Sequence, residues 1–155
     1  MAKAQSAMEY LMTYGWAILI LGIAIVVLYS LGLFSPGSFV TSSCIFPADF
    51  GCLSGALATN GLFSINLEQS TASNINLTAV GCNNLGQTTN MVSFSPQKYM
   101  LIGSNISLTT LCYSNLTVYS STPGSIYQGY LVMNYTDLQT GFPHTVIGRL
   151  LEKVV

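Results

Sequence analysis

Charge is nearly missing from this sequence. Its 155 residues include four Lys or Arg, five Asp or Glu and one His, for a formal net charge of −1. Charged residues make up 6% of the chain, where soluble domains carry roughly 25%. No basic stripe is available to neutralise phosphates, which excludes a nucleic-acid partner. One His and no Cys-x-x-Cys pair are too few ligands for a zinc site, so no metal or cofactor is expected. A nucleophile elbow, a phosphate-cradling glycine loop and paired carboxylates are also lacking, and no enzymatic activity is expected. His144 and Asp137 with a serine make a triad only on paper, and Arg149, Glu152 and Lys153 read as ordinary solvated charges. Disorder is excluded by the opposite signal: 50% of residues are hydrophobic and 11% aromatic, whereas disordered chains are charged and poor in both.

The few charges are unevenly placed. After Glu9 the next is Asp49, and between them Tyr10 to Phe34 reads YLMTYGWAILILGIAIVVLYSLGLF. A bilayer core about 30 Å thick needs roughly 20 apolar residues in a helix, so this stretch is expected to span a membrane or to lie in a filament core. Ser6 with Glu9 three residues on forms a capping box for its start. Ser35-Pro36-Gly37-Ser38 supplies a stop, since Pro and Gly together end helices. Gly15 and Gly22, seven apart, fall on one helical face, as do Ala17 and Ala24; small residues allow helix backbones to approach closely. Tyr10 and Trp16 near the start suit a membrane interface.

Beyond the apolar stretch the periodicity shortens. Strand-like runs cover 62–67, 75–80, 91–94, 99–102, 106–113, 116–119, 126–135 and 145–151, with the run at 126–135 the longest and central. Turn residues separate them, among them Asn83-Asn84-Leu85-Gly86, Ser95-Pro96 and Gly103-Ser104-Asn105. Such spacing predicts an antiparallel sandwich or barrel. Cys44, Cys52, Cys82 and Cys112 all lie past the apolar stretch, and an even number in a translocated domain implies two disulfides with three possible connectivities. The pairing Cys44–Cys52 with Cys82–Cys112 is favoured because the first closes a short loop containing Pro and Gly. Four Asn-x-Ser/Thr sequons begin at Asn76, Asn105, Asn115 and Asn134. As glycan acceptors they would solubilise a surface with little charge, with Asn105 the best placed and Asn134 the worst.

The junction Lys3-Ala4-Gln5-Ser6-Ala7-Met8-Glu9-Tyr10-Leu11, set directly against the apolar run, resembles the class III signal peptide of archaeal type IV pilin-like proteins. The resemblance covers about the first 35 residues. It implies cleavage between Ala4 and Gln5, with the hydrophobic helix kept in the mature subunit. Glu9 would take the family's acidic position, neutralising the new amino group of a neighbouring subunit and guiding assembly alongside Gly15 and Gly22. Two positions depart from the family's pattern: Ala7, where it prefers Ser, and Met12 or Thr13 in place of its final Leu, unless Leu11 substitutes.

The expected class is then α+β: a long N-terminal hydrophobic helix followed by an antiparallel β-sandwich-like domain. Residues 1–4 would be a leader, 5–35 the hydrophobic assembly or transmembrane helix, 36–61 a connecting loop and 62–155 the β-rich extracellular domain. The resemblance implies self-association into a helical filament at the cell surface serving adhesion, after insertion in the cytoplasmic membrane. It also implies a prepilin peptidase, a platform membrane protein and a secretion ATPase as partners. A single-pass anchored binding module, a minor pilin and an archaeal flagellin-like subunit are the alternatives.

Overall fold

The computed structural model describes residues 2–34 and 41–155; the side chains of residues 2–8, 10, 11 and 13 are outside that description. The chain divides into two compact units, Met1–Phe39 and Val40–Val155. The break expected at Ser35-Pro36-Gly37-Ser38 lies outside the described residues.

The first unit is one helix, α1 (Ala2–Ser30). Ser6 lies inside it instead of capping it, because Ala and Lys before it are good helix formers and nothing there stops the helix. The helix ends earlier than expected. Gly32 adopts a left-handed φ of 70°, with its N–H bonded to the Tyr29 carbonyl and that of Leu33 to the Leu28 carbonyl. This is a Schellman cap, in which a left-handed glycine satisfies the last carbonyls. Among the described residues, no helix is long and apolar enough to cross a membrane. The expected transmembrane helix is corrected on that finding; α1 ends at Ser30, closed by the left-handed Gly32 ahead of the Ser35-Pro36 break assumed from the sequence.

The second unit is built from β1 (Ser43–Ile45), β2 (Phe50–Leu57), β3 (Leu62–Gln69), β4 (Ile75–Asn83), β5 (Val92–Met100), β6 (Asn105–Ser114), β7 (Thr117–Val118), β8 (Ile126–Asp137) and β9 (Pro143–Lys153). Alternation drives several of them. In β3, Phe63, Ile65 and Leu67 point inward while Leu62 and Ser64 face out; in β9, Val146 and Leu150 do the same. Together with Leu77 and Val80 of β4, Leu108 of β6, and Leu131 and Met133 of β8 they form one core.

The expected α+β class is corrected. The described residues are mostly strand, and the one described helix is α1. The strands do not stack as two sheets of a sandwich. They run in one path, β1-β9-β8-β4-β6-β3-β2, with β5 on β4 and β7 on β6, curling into a nearly closed, barrel-like sheet. The two forms look alike in sequence because in both each strand buries one face. Long-range pairing decides between them. β4 meets β6 in parallel through Cys82↔Cys112 and Asn83↔Tyr113 only, and β2, at one end of the path, touches the residue just past β9 at the parallel bridge Leu57↔Val154.

Two smaller expectations change as well. Residues 36–61, read as a connecting loop, contain β1 and β2. β1 is too short to show an alternation, Gly51, Ser54 and Gly55 interrupt that of β2, and the two are held by pairing to β9 and β3 respectively. Ser95-Pro96, read as a turn, lies inside β5. Proline removes one N–H, which a strand paired on one side tolerates, and β5 pairs only with β4.

Candidate functional site

The features the sequence singles out fall on the two units separately. On α1 the bond between Ala4 and Gln5 lies within helical backbone; both side chains are outside the described residues. Glu9 is exposed. From Tyr14 onward every large apolar side chain of the helix is exposed, from Leu28 at 39% to Tyr29 at 75%. No side of the helix is polar over these residues, so it lacks the single apolar stripe of an amphipathic helix. Gly15 and Gly22 have nothing within 4 Å of the position a Cβ would take. The structure thus places both on open helix surface, where another backbone has room to approach.

On the barrel, the disulfides are Cys44–Cys52 and Cys82–Cys112, with Cα separations of 5.9 and 4.4 Å. Their placement follows the topology. Cys44 on β1 and Cys52 on β2 join the two ends of the sheet path, and Cys82 on β4 and Cys112 on β6 join the strands that share only two paired residues. Each bridge therefore sits at a seam where backbone hydrogen bonding is thin.

The four sequons differ in surroundings. Asn105 opens β6 and is exposed. Asn115, also exposed, sits at the β6–β7 turn with a φ of 47°; its Oδ1 accepts a hydrogen bond from Asn84 Nδ2 at 3.2 Å and its N–H donates to Asn84 Oδ1 at 3.0 Å. Asn76 is half-buried within β4, between Tyr99 of β5 and Thr136 of β8. Asn134 is half-buried in β8, accepting a hydrogen bond from Thr145 at 2.9 Å and lying against Met91. Access by a glycan-transferring enzyme thus divides the set into Asn105 and Asn115 at strand ends and Asn76 and Asn134 inside the sheet.

Of the groups considered for catalysis, Ser73 donates its hydroxyl hydrogen to Asp137 Oδ2 at 2.6 Å, and His144 stacks on Tyr135 with ring centroids 5.3 Å apart. That hydrogen bond, with the N–H groups of Thr140 and Gln139, holds the Asp137 carboxyl below the ordinary aspartate value. The phenol of Tyr127 is pushed well up by burial and by Tyr119 beside it; its hydroxyl donates to the Tyr113 carbonyl at 3.0 Å. Among the described residues no group of three or more His, Cys, Asp or Glu could hold a metal ion.

Glu152 is the residue that sequence reasoning placed wrongly. It is 3% exposed, not a solvated terminal charge. The alternation Val146, Gly148, Leu150, Glu152, Val154 points it into the barrel, and that period of two, followed to the end of the strand, carries the signal. Burial raises its carboxyl above the ordinary value, against a smaller opposite effect of the Ser42 hydroxyl.

Comparison with protein families and with curated proteins finds nothing that matches this chain.

Proposed function

We propose that the chain is a structural subunit of an extracellular filament, similar in plan to an archaeal type IV pilin. In this reading the α1 helices of many copies pack together and the barrel faces outward. One observation carries it: a helix apolar on every side, with its side chains exposed from residue 14 to residue 30. An apolar surface of that extent on a protein marks an interaction site, and a helix hydrophobic all round is one that is buried in its working state. Copies of the same helix are the partner at hand. The open surface over Gly15 and Gly22 suits close helix contact.

The other features agree with this use. The Lys3-Ala4-Gln5-Ser6 junction fits removal of a short leader, and Glu9 near the resulting N-terminus is a counter-charge for a neighbour's amino group. Two disulfides fit a domain that works in an oxidising exterior. The neutral barrel surface, with Asn105 and Asn115 exposed, fits contact with neighbouring subunits or glycans and a role in adhesion. Membrane insertion before assembly, a prepilin peptidase, a platform membrane protein and a secretion ATPase belong to the same reading.

The test is the N-terminal residue of the native protein, from intact mass and terminal peptide sequencing of sheared surface filaments. A start at Gln5 in filaments supports processing and assembly together. A start at Met1 in a membrane fraction, with no filaments, overturns the reading and leaves an anchored surface module.

A further inference from the structure

The barrel is incompletely closed between β2 and β9, and a cleft of about 270 Å³ opens there. Its lining is Ser42, the Cys44–Cys52 disulfide, Leu53, Ser54, Gly55 and Glu152. β2 pairs with β3 along one edge; along the other its isolated backbone bridge is Leu57↔Val154, just past the end of β9.

The carboxyl of Glu152 reaches this space because residue 55 is glycine. A Cβ at that position would stand 2.7 Å from Glu152 Oε1 and 3.1 Å from the Phe63 ring. The sequence thus puts its one deeply buried carboxyl where the neighbouring strand leaves a gap for it. Burial of a carboxylate without a cation is costly, and the cations of the barrel are placed elsewhere. Lys98 lies over the Phe94 ring at 4.9 Å, Arg149 lines a different cavity beside Tyr130, and Lys153 is the next residue along β9 and so on its other face. Nor does His144 reach it, being stacked on Tyr135. The Ser42 hydroxyl donates its hydrogen to the carboxyl and keeps a lone pair beside it, Ser54 also lines the cleft, and Leu53 and the disulfide give an apolar wall. Ser42 Oγ already accepts the Lys153 N–H at 3.2 Å, which fixes its position.

We propose that this cleft is a binding site for a primary ammonium group on an alkyl chain, with the Glu152 carboxylate as counter-ion and the Ser42 and Ser54 hydroxyls as hydrogen-bond acceptors. An ammonium has three N–H donors and no acceptor, matching a carboxylate and two hydroxyls. A charge-assisted contact of this kind is stronger than a neutral one. Burial raises the Glu152 carboxyl, and a cation beside it would act in the opposite direction. The same chemistry is offered by a free alkylamine and by a lysine side chain of a second copy. The second source rests on the filament reading and the first does not.

Full-length protein carrying ¹³C-labelled glutamate is titrated with n-butylammonium, and in parallel with tetramethylammonium, which has the charge but no N–H. The expected result is a saturable shift of the Glu152 carboxyl resonance with n-butylammonium, binding at least ten-fold tighter than tetramethylammonium. Glu152→Gln, which lacks that resonance and is followed by calorimetry, should bind n-butylammonium at least ten-fold more weakly. Ser54→Leu, which fills the exposed mouth without touching the core, should weaken binding at least ten-fold, so the test stands if the first variant fails to fold. Assembled material is treated with a carbodiimide, which joins a carboxyl to an amine in contact with it. An intermolecular Glu152–lysine amide assigns the site to a second copy; a shift with n-butylammonium and no such cross-link assigns it to a free amine. The absence of both a shift and a cross-link overturns the proposal, whatever the terminal residue of the filaments is.

Discussion

If the two disulfides hold thin seams of the barrel, they act chiefly by limiting the unfolded chain, and their removal should be unequal. The Cys44–Cys52 bridge closes a sequence separation of 8 and Cys82–Cys112 one of 30. Loop-closure entropy grows with the logarithm of loop length, giving about 2.5 kcal/mol for the first and about 3.6 kcal/mol for the second at room temperature. Burial pushes in the same direction, since Cys82 and Cys112 are fully buried and their truncation to Ala also leaves unfilled space. Against a total stability of about 5–15 kcal/mol, neither double variant need be unfolded in water. The assay is urea unfolding of the full chain in mild detergent, followed by circular dichroism of the strand signal. With a slope of about 1.5 kcal/mol per molar, the midpoint should fall by about 1.7 M for Cys44→Ala with Cys52→Ala and by about 2.4 M or more for Cys82→Ala with Cys112→Ala. An equal or larger loss from the Cys44–Cys52 pair would refute the reasoning. The energy would then reside in the folded seam between β1 and β2, not in the denatured chain.

Three further outcomes are expected. Ile23→Arg, at an exposed helix position, should abolish filament assembly in electron micrographs while the urea midpoint of the barrel stays within about 0.5 kcal/mol of wild type, as surface changes do. Glu152 should make stability fall as pH rises: its carboxyl is raised above the ordinary 4.5, so the folded state holds the proton longer than the unfolded one and the cost is complete only above the folded value. The gain from Glu152→Gln should therefore be small below pH 4.5 and grow above it; a gap that widens toward acid would contradict the burial of this group. Phe63→Ala, at a fully buried position, should cost about 3–5 kcal/mol in the same unfolding assay, where Leu116→Ala at an exposed turn should cost less than about 0.5 kcal/mol.

Much of the local structure was legible in the sequence, because period-two burial and turn chemistry are short-range. The runs at 62–67, 75–80, 106–113 and 126–135 became β3, β4, β6 and β8 with small changes at their ends, and β8 is the longest strand at 12 residues. The disulfide pairing favoured from loop length is the one formed. Strands without clean alternation were not legible. β1 and β2 exist through their partners, and the helix end was misplaced because a left-handed Gly32 outweighs the stronger-looking Pro36 that follows it.

By itself the sequence determined which residues turn inward within a strand, where the chain becomes apolar without relief, and how few ligands it has for metal or nucleic acid. These follow from side-chain transfer free energies and backbone sterics, which each residue carries with it. Only the tertiary structure decided that the strands close into one barrel-like sheet, that the disulfides fall on its two thin seams, and that Glu152 meets Gly55 across a gap. Leu57 and Val154 bridge across nearly the whole barrel sequence, and no local pattern records which distant strand a given edge will meet.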